Sequence, residues 1–356
     1  MSLWTRQQRP DGADPILLVG FDGPPIAAQM ATLGRRCQTL HRFRLMPVVA
    51  VRRPPDQPAF NLLDVPGVSF VEENGRVFAL ETVPWGVERV GAPDAWPVSR
   101  GEGVNVAILD TGIARAQADL RVIGGVSFVG GGWNDANGHG THVAGTVGGL
   151  GAASGVTGVA PGARLHAVKV LGDDGSGTWL SVARGIEWSV QNGMRVLNLS
   201  LGSPQGGRTL ELACRAAADA GLVLVGAAGN SGDPAGRGNS VGYPAGYEPV
   251  IAVAASDRQN RRAPWSSTGP AVELIAPGVG ILSTAPGNRY TELSGTSMAC
   301  PHVAGAAALT WGANPHLRAR EVRRILGETA ENLGLSRNWQ GHGLVRADRA
   351  VASARR

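Results

Sequence analysis

Residues 293–305 read Leu-Ser-Gly-Thr-Ser-Met-Ala-Cys-Pro-His-Val-Ala-Gly, a small polar turn that leads into a run of small apolar residues. The run predicts a buried helix. Pro301 suits its first turns, where helix N–H groups have no partner within the helix. We therefore expect Ser297 beside free backbone N–H groups at the positive end of the helix dipole. Such a place suits a nucleophile that forms an oxyanion next to itself. Taken alone, Ser297 reads equally well as the cap of a buried helix.

Two further stretches carry the partners that a nucleophilic serine needs. Residues 104–112 are an apolar run ending in Asp-Thr-Gly, which predicts a buried parallel strand with a carboxylate at its carboxyl end. In residues 137–146, a histidine stands between glycines at the start of another small-residue helix. A serine needs a base, and the base needs a carboxylate that holds its tautomer. Asp110, His139 and Ser297 supply these three parts.

The three motifs resemble those of the subtilisin family of serine proteases, the subtilases, in which the order is also Asp, His, Ser. The resemblance extends over almost the whole chain, from about residue 15 to about residue 347. It implies a serine endopeptidase that hydrolyses peptide bonds through an acyl-enzyme. It also implies that Asn230, which follows the apolar strand 222–227, contributes a side-chain N–H to the oxyanion hole.

The composition excludes several classes of protein. The chain has 356 residues, a net charge of +5 and a pI near 9.7. Its positive charge comes from scattered arginines, since Lys169 is the only lysine, and no basic run has interleaved aromatics. We therefore expect no nucleic-acid binding. No apolar stretch reaches about 18 residues, so no membrane helix is expected. Three cysteines that fit neither a metal pattern nor a disulfide framework are expected as buried thiols: Cys37, Cys214 and Cys300.

The amino-terminal part predicts a small separate domain. Residues 1–14 are polar and read as a disordered arm. In residues 15–79 the order is βαββαβ, a ferredoxin-like α+β unit. Its expected strands are 15–21, 37–44, 46–52, 68–71 and 76–79, and its expected helices are 24–34 and 57–64.

The small unit resembles the inhibitory propeptide of subtilisins. The resemblance implies a self-processing zymogen whose own propeptide is an intramolecular inhibitor. The expected processing site is Ala79-Leu80, because the following residues resemble the start of a mature enzyme. An uncut linker between two stable domains is the alternative.

Residues 80–356 predict the catalytic domain. Short apolar strands alternate with helices, which is typical of an α/β fold with a doubly wound, mostly parallel sheet flanked by helices. The expected strands are 104–109, 164–170, 194–199, 222–227 and 249–254. The expected helices are 139–149, 178–192, 207–220, 297–312 and, as the last one, 319–329. We expect a monomer.

The resemblance also implies how a protein or peptide substrate binds. An extended peptide would pair with two backbone segments, which is β-augmentation. An aromatic wall would contact the P4 residue, and small residues would line the S1 pocket. The residues implied are Gly175, Ser176, Gly177, Trp179, Ser200, Leu201, Gly202, Ala227, Ala228, Gly229 and Gly242. With a glycine floor and the uncharged Ser231 at its rim, this S1 pocket should prefer large apolar P1 residues.

No cofactor is required for the chemistry. The resemblance implies a site for a structural calcium ion, at which Glu81 and Asp119 would be ligands. In residues 150–156, however, alanine stands where family members have an asparagine ligand. Since calcium takes six or more oxygens, the ligand set is incomplete.

Other functions fit the sequence less well. A catalytically silent relative that serves as a binding or inhibitory module conflicts with the intact Asp, His, Ser and Asn. The pair His139-x-x-His142 lacks the glutamate of a metallohydrolase motif. The glycine-rich turns lack the Gly-x-Gly-x-x-Gly of nucleotide binding, and Ser297 is not in the Gly-x-Ser-x-Gly context of lipases.

The sequence leaves two hypotheses for the cellular location of the protein. No signal peptide is visible, because the apolar residues 16–19 are too few for its hydrophobic core. A secreted enzyme whose leader is absent from this sequence is the expectation, and a cytoplasmic enzyme is the alternative.

Overall fold

A computed structural model describes residues 16–52, 61–73, 83–152 and 155–355. The chain divides into two compact units, Met1–Phe78 and Ala79–Arg356. The arm predicted at residues 1–14 lies outside the described residues, and so do Ala79, Leu80 and Glu81. The domain boundaries and the processing site therefore stay predictions.

The first unit contains a four-stranded antiparallel sheet with the order β2-β3-β1-β4. This is the ferredoxin-like arrangement, so the predicted α+β unit is confirmed. Within the described residues, a 3-10 turn at Leu62–Asp64 stands where a helix was predicted at 57–64, and the strand predicted at 76–79 lies outside them. The unit's elements are β1 (Ile16–Phe21), α1 (Ala27–Gly34), β2 (Gln38–Arg42), β3 (Val48–Arg52) and β4 (Val68–Glu73).

The second unit is built on a seven-stranded parallel sheet with the order β11-β10-β9-β8-β5-β7-β6. The predicted doubly wound α/β fold is confirmed. Its elements are α2 (Trp85–Arg89), α3 (Ala92–Ala95), β5 (Asn105–Asp110), β6 (Val122–Ser127), α4 (His139–Gly148), β7 (Arg164–Lys169), α5 (Trp179–Gln191), β8 (Val196–Leu199), α6 (Arg208–Asp219), β9 (Val223–Ala227), β10 (Val250–Ser256), β11 (Val272–Pro277), β12 (Ile281–Ala285), β13 (Arg289–Leu293), α7 (Thr296–Ala313), α8 (Ala319–Glu328), α9 (Arg337–Gln340) and α10 (Ala347–Ala354).

Some elements of this unit were not predicted. The two edge strands β6 and β11 and the hairpin β12–β13 are additional to the expected strands, and helix α8 is followed by α9 and α10. Edge strands lack the continuous apolar run of a strand that is buried on both faces. In β6, Gly124 and Gly125 interrupt the apolar pattern, and most of the strand is half-buried.

Helices cover both faces of the parallel sheet. In β5, Val106 and Ile108 pack into the core that α4 and α7 form, whereas Ala107 and Leu109 pack into the core of α5 and α6. Helix α7 is buried all round, because its small residues allow it to cross the centre of the sheet closely. All three cysteines are buried thiols, as predicted.

The sheet order creates the crevice in which functional residues of α/β proteins lie. From β5 the chain runs to β6 at the edge and returns to β7 on one side of β5, and it then continues to β8 and the later strands on the other side. Strands β5 and β8 are neighbours, and the order reverses between them. Ligands of open α/β sheets bind outside the carboxyl ends of the strands at such a switch point. Asp110 ends β5 and Ser200 follows β8 at this point.

Candidate active site

Asp110 and His139 form a hydrogen-bonded pair at the carboxyl end of β5. The Asp110 side chain is fully buried, and its Oδ1 lies 2.8 Å from His139 Nδ1. The same oxygen accepts the Thr111 N–H at 2.7 Å. Since a carboxylate only accepts hydrogen bonds, Nδ1 carries the proton and His139 Nε2 is left as the basic nitrogen.

Two local features bring His139 to this position. Gly140 allows α4 to approach the end of β5, because a side chain there would collide with the Gly112 carbonyl. The buried Asp135 caps the start of α4 and accepts the N–H groups of Gly138 and Thr141, each at 2.9 Å.

The charges around His139 raise its pKa above 6.5. The carboxylate of Asp110 is the largest cause, burial opposes it, and the hydrogen bond to Asp110 and the charge of Asp135 add to the rise. Asp135 was not anticipated as part of this site. The available signal was an aspartate four residues before the first residue of α4, near the helix start, where capping and acidic residues are common.

Ser297 is the second residue of α7. Its hydroxyl donates to the Ser200 carbonyl at 3.1 Å. Hydrogen bonds of catalytic groups are often long or differently directed until substrate binds. The described residues thus hold the Ser297 hydroxyl beside the chain segment that follows β8.

Asn230 is held so that its amide N–H₂ stays available. Its Oδ1 accepts both the N–H and the hydroxyl of Thr296, at 2.9 and 3.0 Å. A Cβ atom built on Gly295 would lie 3.5 Å from Asn230 Nδ2 and 3.7 Å from the Ser297 nitrogen, so these two donors border the same space. The arrangement suits the binding of an oxyanion. The anchoring role of Thr296 was not anticipated from sequence.

Three of the segments expected to bind substrate come together. Ser203 and Tyr243 exchange two backbone hydrogen bonds of 2.8 Å, and the Gly242 N–H donates to the Ala228 carbonyl at 2.9 Å. The Gly229 N–H donates to the Thr296 hydroxyl at 3.1 Å, which joins these segments to the start of α7. The resulting wall contains Ser200, Leu201 and Gly202 together with Ala227, Ala228, Gly229 and Gly242.

The fourth segment, Gly175, Ser176 and Gly177, is exposed and lies beside Asn137, since a Cβ built on Gly175 would lie 3.5 Å from Asn137 Nδ2. Asn137, two residues before His139, donates its amide to the Asp173 carbonyl at 2.9 Å. Trp179 begins α5, is 43% exposed and packs its ring against the backbone of Gly207.

A cleft of about 510 Å³ opens beside His139. The hairpin β12–β13 contributes much of its lining, including Arg289, Thr291 and Leu293. This cleft was not anticipated, because the hairpin that forms it was not.

His142 does not pair with His139 as a metal ligand would. Its Nε2 donates to the carbonyls of Ile281 and Thr291, at 2.9 and 3.1 Å, and burial lowers its pKa to about 4. The two histidines therefore use their ring nitrogens for separate protein partners. Within the described residues no cluster of His, Cys, Asp and Glu could hold a metal ion.

Asp119, the second residue expected to bind calcium, is buried and bonded to protein donors. Its Oδ1 accepts the Ala152 N–H at 2.7 Å, and its Oδ2 borders the same space beside Gly155 as the Tyr290 hydroxyl. The Ala152 carbonyl accepts the Gly155 N–H at 2.9 Å. Glu81 lies outside the described residues.

Comparison with known proteins decides the family. The model of the subtilase family, Peptidase_S8, matches residues 101–343. This chain is a subtilase. The alkaline protease of Alkalihalobacillus alcalophilus is 48% identical to it over 318 residues, which are 88% of this chain and 82% of the relative. The thermostable alkaline protease of Halalkalibacterium halodurans is 45% identical, over 94% of this subtilase and 91% of the relative. Subtilisin DY of Bacillus licheniformis is 50% identical, over 76% of this subtilase and 99% of the relative.

The subtilase is accordingly a serine endopeptidase that acts on protein or peptide substrates. The prediction of a hydrolase of this family is confirmed. Within the described residues no helix combines the length and the apolar character that a membrane crossing requires.

Proposed function

We propose that this subtilase cleaves peptide bonds with Asp110, His139 and Ser297 as its triad. The observation that carries the proposal is the 2.8 Å hydrogen bond between Asp110 Oδ1 and His139 Nδ1, which leaves His139 Nε2 as a base. When a substrate carbonyl is in place, the Ser297 hydroxyl turns from the Ser200 carbonyl, gives its proton to Nε2 and attacks. Asp110 stabilises the resulting imidazolium.

The later steps use the two donors at the start of α7. The tetrahedral oxyanion accepts hydrogen bonds from the Ser297 N–H and from Asn230 Nδ2. His139 then gives its proton to the leaving amine, which releases the carboxyl-terminal fragment and leaves an acyl-enzyme on Ser297. Water, deprotonated by His139, hydrolyses the ester and restores the hydroxyl.

A serine-reactive fluorophosphonate tests the assignment of the nucleophile. Wild type should gain one covalent adduct that maps to Ser297, and Ser297→Ala should gain none. Ser294→Ala is the matched control, because Ser294 lies in the same turn and its hydroxyl accepts the Gly280 N–H at 2.9 Å. An adduct on another residue, or none on the wild type, would favour the alternative of a catalytically silent binding module.

The self-processing zymogen is a separate part of the proposal. It is supported by the ferredoxin-like sheet of the first unit, which resembles a subtilisin propeptide. Intact mass over time should show the wild type splitting near Ala79-Leu80, while Ser297→Ala stays whole. If both stay whole, the first unit is a permanent domain. If both split alike, another protease made the cut.

The S1 pocket is proposed to prefer large apolar P1 residues. The support is the small, uncharged wall formed by Ala227, Ala228, Gly229 and Gly242, with Ser231 at its rim. In a peptide library, cleavage should follow Phe, Leu, Met or Tyr. A dominant preference for Arg or Asp at P1 would overturn this assignment.

We further propose that calcium is not needed at the Asp119 position. The residues present do not fit the ion, because both Asp119 and the Ala152 carbonyl accept hydrogen bonds from the protein itself.

Secretion also belongs to the proposal. Subtilase activity that remains with the cells of the source organism, and is absent from their culture medium, would contradict it.

A further inference from the structure

Helix α7 has a gap in its hydrogen bonding at the nucleophile itself. In an α-helix the carbonyl of residue 297 accepts the N–H of residue 301. Residue 301 is a proline inside the helix rather than in its first turn, so the expectation that its missing N–H leaves no group unpaired was wrong; its ring also crowds the carbonyl four residues before it. A backbone carbonyl in a packed region needs some other donor.

That donor is a side chain from another strand end. The Ser200 hydroxyl donates to the Ser297 carbonyl at 2.8 Å, and the Ser200 side chain is almost fully buried. The Ser200 carbonyl in turn accepts the Ser297 hydroxyl at 3.1 Å. One residue therefore holds both the carbonyl and the hydroxyl of Ser297.

The direction of the Ser200 hydroxyl is fixed by a buried amide. Asn198, in the apolar strand β8, is fully buried and donates its Nδ2 to Ser200 Oγ at 2.8 Å. Since Asn198 occupies an acceptor site of that oxygen, the Ser200 proton is left for the Ser297 carbonyl. Asn198 Oδ1 accepts the thiol of Cys300 at 3.3 Å, so the chain of bonds returns to α7 next to Pro301.

We propose that Ser200, oriented by Asn198, is a positioning residue that replaces the missing N–H of Pro301. The inference rests on the proposed role of Ser297 as nucleophile. The Ser297 N–H and hydroxyl belong to the same residue as the anchored carbonyl, so a tilt of that carbonyl would displace both the oxyanion donor and the attacking oxygen. Loss of the anchor should therefore lower kcat more than it raises KM.

A double-mutant cycle tests the replacement directly. Ser200→Ala removes the donor but keeps the backbone of residue 200, and Pro301→Ala supplies a backbone N–H. In the wild-type background, Ser200→Ala should lower kcat about 10- to 100-fold with little change in KM, because a carbonyl is left without a partner. In the Pro301→Ala background, the same change should lower kcat less than about threefold.

A second cycle gives a readout that does not depend on activity. Ser297→Ala keeps the carbonyl of residue 297, so the same four combinations can be compared in this inactive background by their midpoints of urea unfolding. Ser200→Ala should lower the midpoint, and adding Pro301→Ala should recover most of the loss. Thr310→Val is the matched control: it removes a buried hydroxyl that donates to the Ala306 carbonyl at 2.7 Å in the same helix, and Pro301→Ala should not rescue it.

The outcomes separate this inference from the proposed function. Coupling in both cycles supports the positioning role. If wild type is active and Ser200→Ala lowers kcat as much in the Pro301→Ala background as in the wild-type background, the inference is overturned and the proposed function stands. If wild type is inactive, the urea cycle alone decides whether Ser200 replaces the proline N–H. Should Ser200→Ala fail to fold, a double variant that also fails to fold would overturn the inference.

Discussion

At the scale of single residues, the charges around His139 determine the pH range of activity. His139 must be neutral to accept the Ser297 proton, and Asp110 and Asp135 both favour the charged form and so raise its pKa above 6.5. We expect kcat/KM to rise with pH through a pKa above 6.5. Asp135→Asn removes one negative charge, so it should shift this acid limb to lower pH by less than about one unit. Asp173→Asn, a change at the carboxylate that pairs with Lys169 at 2.7 Å, is the control. An acid limb that moves upward in Asp135→Asn would contradict the assignment.

Asn230 offers a second test at this scale. Asn230→Asp retains an oxygen for the Thr296 N–H and hydroxyl but replaces the Nδ2 donor. We expect kcat to fall about 10²- to 10³-fold with little change in KM, the range established for subtilisin itself rather than one derived from this geometry. Steady-state kinetics on enzyme quantified by active-site titration would measure the loss. A variant that keeps more than about a tenth of kcat would show that Asn230 does not bind the oxyanion.

At the scale of elements, α4 is fastened to the hairpin β12–β13. His142 Nε2 donates to the carbonyls of Ile281 and Thr291, and the Ser283 hydroxyl donates back to the His142 carbonyl at 2.7 Å. The hairpin leads directly into the turn before Ser297. Because α4 begins with His139, this contact joins the segment that carries the proposed base to the segment that carries the proposed nucleophile.

The buried position of His142 in this contact predicts how the free energy of unfolding depends on pH. Burial lowers the pKa of His142 to about 4, whereas the unfolded chain binds this proton near 6.5. Between these values only the unfolded state is protonated, so stability should fall as pH drops from 6.5 to 4, by about 3 kcal/mol in all. In the Ser297→Ala background, urea unfolding should show a shallower pH slope when His142→Gln is added. Equal slopes for wild type and His142→Gln would contradict this account. The pKa of His302 is also lowered to about 4, so part of the slope should remain.

The features that could be predicted from the sequence are those that depend on local patterns, and the features that were missed depend on contacts between distant segments. Strands β5, β7, β8, β9 and β10 carry apolar runs because both of their faces are buried, and the motifs at their ends carry residue types that only the chemistry requires. The edge strands and the hairpin have no such run. Asp135 also accepts a hydrogen bond from Thr111, and Asn198 from Cys300, which are distant in the sequence, so a local pattern could reveal only part of their roles. A polar residue in an otherwise apolar strand was the only available signal for Asn198.

At the scale of the whole molecule, the contacts of Asp119 link segments that are distant in the sequence. Asp119 connects three of them. It receives the Ala152 N–H from the segment after α4, its own carbonyl accepts the Leu150 N–H at 2.9 Å, and its carboxylate borders the same space as the Tyr290 hydroxyl of β13. Gly155 leaves room for this arrangement, since a Cβ there would collide with the Asp119 carboxylate. Hydrogen-bond donors of the protein thus supply part of the interaction that a cation would otherwise provide to the Asp119 carboxylate.

This arrangement predicts that the molecule resists chelation. In the Ser297→Ala background, which cannot digest itself, excess EDTA should leave the melting temperature within about 2 °C of that in calcium. Tyr290→Phe should lower it by about 2–4 °C in both conditions, because it removes a hydroxyl that borders the Asp119 carboxylate and could donate to it, an interaction worth about 1 kcal/mol. A larger fall in EDTA that calcium restores would mean that an ion contributes to folding. If the fall occurred only in Tyr290→Phe, calcium would be taking the place of the tyrosine hydroxyl at Asp119, and the hydroxyl would be what keeps this subtilase independent of the ion.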